Sequence, residues 1–335
     1  MIKIIAETAW HHEGDIEYMK HLVSNICNKT TADYVKLHIN IDFNEYMDSD
    51  HPSYKMLSSW VFSETQWLEI ISIIRKSSKK LMLLVNDNKS VEFASMIKPE
   101  IVEIHAACLN VPLITKSVLN KVDKKTKIIL GIGGSTTEEI DYAVNTFKYR
   151  DIVLMFGFQN YPTKFENINL NKIRTFQEKY PNLEFGYADH TSWDNENNNL
   201  ATLIVAANGM SFIEKHVTSK PGLKRTDFSA AISIDLFNKI HEDLKLLQKI
   251  SGSGNLSLNS AEKDYSKYGP NKLAGISKKK LIKGSLISID DIHFTRTRSV
   301  TDLSQIELIN LCNSNTRLVK DVDEREIIVA KHFTD

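Results

Sequence analysis

The residues best able to do chemistry in this 335-residue chain stand at the ends of short apolar runs. GYADHT ends at His190 and Thr191, FIEKHVT carries His216, and PGLKRTDFS follows with Asp227. Two imidazoles leaving neighbouring strand ends are suited to share a divalent metal ion. Asp189 and Lys215 stand beside them; a hydrogen-bonded structural histidine is the alternative at each position. Other strand ends add Glu7, Lys36 with His38, His105, Gly131 to Ser135, and Gln159 with Tyr161. Glu7 is open to a second reading as a helix cap, and Lys36 as its buried ion-pair partner. The glycines of GIGGS either cradle an anion with backbone N–H groups or make a close strand-to-helix turn.

These positions are strand ends because of the pattern around them. Strand-like runs occur at Ile2–Ala6, Tyr34–His38, Leu81–Val85, Ile101–His105, Lys127–Ile132, Ile152–Phe156, Leu183–Tyr187 and Ser211–Glu214. Amphipathic runs separate them, among them Ile16–Asn28, Glu64–Lys76, Val111–Lys121 and Trp193–Ala207, and Ile234–Ile250 closes the series. Alternation of this kind implies parallel βαβ units, and eight pairs in roughly 250 residues predict a (β/α)₈ TIM barrel over residues 1–250. A doubly wound sheet would carry a glycine fingerprint after the first strand, where AETAWHHEGD has none. The polar and aromatic stretch Asp42–Phe62 is too long for a turn and is expected to lie over the active face. Residues 251–272, opening with SGSGNLSLNS, read as a linker, and residues 273–335 as a small second domain poor in large apolar side chains.

Lys plus Arg and Asp plus Glu balance at 42 each, so no basic stripe points to nucleic acid and a small-molecule partner is favoured. Three scattered cysteines form neither a disulfide framework nor a zinc pattern, and a reducing cytoplasm is expected. No leader-like N-terminus is read, and no apolar run is long enough to span a membrane.

Several motifs together resemble the sialic acid synthase family. Its opening AEIGxNHNGD stands here as AETAWHHEGD, and ADAVKFQ as ADYVKLH. NYPT is intact at Asn160–Thr163, GYSDHT appears as GYADHT, and IEKHFT as IEKHVT. KKKLIKGSLISIDDIHFTR resembles the family's antifreeze-like (SAF, β-clip) domain. The resemblance implies condensation of phosphoenolpyruvate with an N-acetylated aldose to give a nonulosonic (sialic-type) acid. It implies Mn²⁺ or Mg²⁺ on His190 and His216, Glu7 beside the reacting carbons, and Lys36 on the donor carboxylate. Tyr161 and Asp227 would face the acceptor sugar, and Arg296 would reach over the partner's barrel in a domain-swapped homodimer.

The departures concern the donor. KIxSGE becomes EIHAAC, so Glu103 replaces a lysine, Ala106 a serine and Cys108 an acidic residue; Leu84, Gly131, Gln159 and Ala188 replace further polar groups. A phosphate leaving water needs cations and donors, and Glu103 repels it. Substitute groups are sought in His38, His105, the amides around Gly131 and Gly133, and Lys224 or Arg225, and Gln159 and Asn160 are further candidates to bind substrate. Three functions follow: a metal-dependent synthase using an enolpyruvyl donor, a metal-dependent 2-keto acid aldolase or lyase without phosphate, and a non-catalytic sugar-binding or regulatory paralogue.

Overall fold

The computed structural model describes residues 2–157 and 160–334. It divides into two compact units, Met1–Gly252 and Ser253–Asp335. The first is a closed parallel barrel: β1 Lys3–Glu7, β2 Tyr34–Ile39, β3 Lys80–Val85, β4 Ile101–Ile104, β5 Lys127–Gly131, β6 Ile152–Gly157, β7 Glu184–Asp189 and β8 Phe212–Thr218. Each strand pairs with the next, and β8 pairs back onto β1.

Period-two alternation on these strands builds the interior in layers. Ile5, Tyr34, Met82, Ile101, Ile129, Val153 and Phe212 form an apolar plug. Two residues further along, the same inward face carries Glu7, Lys36, Glu103, Gly131, Met155 and Glu214, and two further again His38, His105 and His216. The register sets Glu7 beside Lys36 on one side and beside His216 on the other. Outward side chains meet the surrounding helices in the main core, which includes Leu22, Ile26, Trp67, Ile70, Phe93 and Phe237.

The helices start where side chains satisfy their first free N–H groups. Asp15 caps Ile16–Lys29, Ser63 and Thr136 form capping boxes for Glu64–Arg75 and Thr137–Thr146, and Ser233 caps Ile234–Ser251. The helix expected from Trp193 begins only at Asn198, because Ser192, Asp194 and Asn195 turn their side chains back onto the local chain. Asp42–Phe62 contains two short helices, Phe43–Tyr46 and Tyr54–Ser58.

In the second unit Ala274–Ser277 pairs antiparallel with Ile292–Thr295, and a helix spans Gln305–Asn313. The stretch read as a linker contains a helix, Ser260–Tyr265, begun by an Asn259 capping box. A domain so poor in large apolar side chains predicts no self-sufficient core. Instead Leu281, Ile287, Ile292, Leu308, Leu318, Val322 and Ile328 bury one another. Its apolar residues are few but aliphatic, and the folding of the chain brings them together.

Candidate active site

At the carboxyl ends of the strands lies a cavity of about 200 Å³. Glu7, Lys36, His38, Glu103, His105, Gly131, Gly133, Tyr161, His190, Glu214, His216 and Asp227 reach it from seven different strands and their loops. Tyr46 of the Asp42–Phe62 segment and Trp10 of the loop after β1 also line it.

Lys36 is the centre of its floor. Its Nζ lies 2.8 Å from Glu103, 2.9 Å from Glu214 and 3.2 Å from Glu7, all buried. Burial alone would lower the lysine, but the three carboxylates overcome it and hold the ammonium well above its ordinary value. The acids bear the cost. Burial lifts Glu103 to about 7 against the pull of Lys36, and burial with repulsion from Glu7 lifts Glu214 to about 8. The buried ion-pair reading of Lys36 is therefore met, with two more partners than Glu7. Glu214 escaped the sequence reading, although a carboxylate two residues before an inward histidine must share its face.

Five imidazoles at and around this floor are neutral near pH 7. Burial lowers His105 and His216 to about 4, His11 to about 4 and His12 to about 3, and takes His38 well below its usual value. His190 and His216 meet edge to face with ring centroids 4.7 Å apart, and the Tyr161 ring lies 4.6 Å from the first and 5.8 Å from the second. His216 Nε2 is 3.4 Å from Glu7, and its Nδ1 is buried without a hydrogen-bond partner. Asp227 adopts φ 63°, which turns its carboxylate under the Trp10 N–H, and burial raises its pKa.

Behind the histidines, on the outer face, Lys215 pairs with Asp189 at 3.0 Å and donates to Asn198 at 2.8 Å. Asp189 also accepts from Thr191 and Thr202. This buried network ties the ends of β7 and β8 together and fixes the spacing of His190 and His216. Two imidazoles with a carboxylate alongside fit a divalent ion. Among the described residues no three His, Cys, Asp or Glu converge as a ready-made ligand set. An ion here would take His190 and His216 and complete its shell with water or substrate oxygens.

Other expectations meet a different geometry. Asn160 does not line the cavity; its side chain accepts from Thr163 at 3.0 Å. Gln159 lies outside the described residues. Arg225 is drawn away from the cavity by the backbone carbonyls of His11 and His12 and by Glu13 and Asp15, and stacks on Tyr18. Lys224 is exposed and does not line the cavity. Arg296 belongs to the second unit, where its guanidinium donates twice to the Pro270 carbonyl. Gly131 is explained by packing: a Cβ there would stand 2.9 Å from the Ala106 nitrogen and 3.4 Å from Glu103 Oε1. Gly131→Ser is therefore expected to destabilise the barrel by about 1–3 kcal/mol, as overpacking does. A urea midpoint equal to that of the parent would contradict this.

The model of the NeuB family matches residues 25–256. The chain belongs to the NeuB family. It is 28% identical over 330 residues to an uncharacterised protein of Methanocaldococcus jannaschii, covering 97% of this chain and 92% of that one. To a pseudaminic acid synthase of Campylobacter jejuni it is 24% identical over 275 residues, 76% of each chain. In structure it is similar to a putative spore coat polysaccharide biosynthesis protein E of Chromobacterium violaceum, with TM-score 0.81, 15% identity and 98% of both chains covered. That likeness shows a shared fold, and the closed eight-stranded barrel of this NeuB-family chain agrees with it.

Proposed function

We propose that this NeuB-family chain is a condensing enzyme that joins an enolpyruvyl or 2-keto acid donor to an aldose through a new carbon–carbon bond. The observation that carries the reading is the convergence of His190, His216, Glu7, Tyr161 and Asp227 on one strand-end cavity in a chain of this family. A divalent ion on the two histidines would supply Lewis acidity toward a carbonyl oxygen. Asp227 and Tyr161, which line the cavity, would hold sugar hydroxyls and align the aldehyde carbon. Glu7, between Lys36 and His216, is placed to orient a water toward the donor's second carbon. With phosphoenolpyruvate, the donor's methylene carbon would bond to the aldehyde carbon, water would add to the second carbon, and phosphate would leave to yield a 2-keto acid.

The Lys36 cluster favours a second reading, in which the donor carries no phosphate. Lys36 is the one ammonium or guanidinium among the described residues lining the cavity, and three carboxylates already surround it. A phosphate there would meet Glu103 rather than a free cation, losing charge-assisted hydrogen bonds of about 1.5–3 kcal/mol each. A 2-keto acid aldolase or lyase needs no such cradle. Domain exchange in a homodimer, an antifreeze-like second unit and a role for Arg296 belong to the same proposal.

Phosphate release from phosphoenolpyruvate with a panel of N-acetylated aldoses, beside pyruvate release from nonulosonic acids, distinguishes the donors. No product in either arm would sink the enzyme reading. Glu103→Lys is expected to strengthen phosphoenolpyruvate binding about tenfold to a hundredfold, the equivalent of one charge-assisted hydrogen bond. Calorimetry checks it, and low-micromolar binding by the parent, flat from about pH 6 to 8, would overturn the phosphate-free reading.

A further inference from the structure

His38 and His105 form a second pair of imidazoles in the cavity that His190 and His216 also line. They end β2 and follow β4, with β3 between them contributing only Leu84 to the cavity at that level. Their ring centroids are 5.5 Å apart. A metal bonded at about 2.1 Å to a nitrogen of each ring can bridge such a separation.

Each ring also has an unmet bonding capacity. His38 Nε2 and His105 Nδ1 are buried, and neither has a hydrogen-bond partner. Buried polar groups in native folds are nearly always partnered, so two such atoms on facing side chains of one cavity mark a place for a ligand. Trp10 packs 5.1 Å from the His38 ring and limits its reorientation.

The surrounding field decides the sign of that ligand's charge. Neutral imidazoles can donate an N–H to an anion or offer a lone pair to a cation. Glu103 projects from the same strand face two residues before His105, and Glu7 and Glu214 lie across the floor. Near neutrality Glu103 and Glu214 still hold protons, which a cation can displace and an anion cannot, and above about pH 8 three carboxylates against one ammonium repel an anion and attract a cation.

We propose that His38 and His105 hold a second divalent cation, distinct from any ion at His190 and His216, and that this cation receives the carboxylate or keto oxygens of the donor. The donor half of this statement rests on the function proposed above; the metal half does not. Such an ion supplies the positive charge that Lys36, shared among three acids, cannot. With two protein nitrogens and the rest of its shell open, it is exchangeable and of the imidazole-seeking kind, such as Zn²⁺, Co²⁺ or Mn²⁺.

The test is metal stoichiometry on full-length protein stripped with chelator and dialysed against Zn²⁺, read by mass spectrometry of the metal. Two ions per chain are expected for the parent. One is expected for the His38→Ala/His105→Ala protein, and one for the His190→Ala/His216→Ala protein. Circular dichroism checks that each variant folds; where a double variant does not, His38→Gln, with its occupancy expected to fall by one, takes its place. The site is overturned by a parent holding one ion that only the His190 and His216 changes remove, or by two ions persisting without His38 and His105. A single ion lost only with His38 and His105 would support this site and remove the other. None of these readouts uses product formation, so failure of the condensing reading leaves the metal result standing.

Discussion

Lys36→Met is expected to destabilise the barrel by about 3–5 kcal/mol at pH 8, as removal of one partner from a buried ion cluster does. The change preserves length and apolar stem while leaving Glu7, Glu103 and Glu214 facing one another without their shared ammonium. The loss should shrink on acidification. Without Lys36 the pKa values of Glu103 and Glu214 rise further above their unfolded values, so the folded state holds protons that the unfolded chain gives up. Stability is then retained at low pH and lost as pH rises through the folded values. Glu103→Gln in the same chain should restore a large part of the loss, since it removes one of the repelling charges. Urea midpoints at pH 5.5 and 8 measure both effects. A loss below about 1 kcal/mol at pH 8 would mean that Lys36 is not committed to the three acids and remains available to a substrate.

The same cluster shows where sequence reasoning reached and where it stopped. Strand ends and their histidines were legible because apolar runs, alternation and turn residues locate the carboxyl edge of each strand without tertiary information. Glu7 and Lys36 were legible as candidates. That Glu103 and Glu214 join them was not, because it depends on closure of β8 onto β1 and on the level at which each strand enters the ring. Arg225 misled for a related reason. Its type suits an anion, but the carbonyls of His11 and His12 that engage it belong to a loop 213 and 214 residues away in sequence. Trp10, His11 and His12 went unnoticed because they lie in that loop, beyond the strand end that periodicity marks. The second unit's core was missed because seven aliphatic residues spread among charges carry no period until the chain folds back on itself.

For the chelator-stripped protein, stability is expected to peak near pH 7 and fall on both sides. Burial puts His11, His105 and His216 at about 4, His12 at about 3, and His38 well below its ordinary value. In the unfolded chain each would titrate near 6.5. Between about pH 4 and 6.5 the unfolded state therefore binds more protons than the folded one, and stability rises with pH. Glu103 and Glu214 act in the opposite sense. Raised to about 7 and about 8, they keep protons in the folded state that the unfolded chain releases near 4.3, so their contribution is present at low pH and fades as pH rises through 7 to 8. Asp227, also raised by burial, adds to their side. Below pH 6.5 the five imidazoles outnumber the raised acids, and the acid limb is steep. Above it the imidazole contribution is nearly complete while the two glutamates are still losing protons, and the curve turns down. Denaturant midpoints from pH 4 to 9 test this. A midpoint that climbs steadily through pH 8 would show that Glu103 and Glu214 are fully ionised beside Lys36 well below neutrality, and that the cavity floor carries its full excess of negative charge at pH 7.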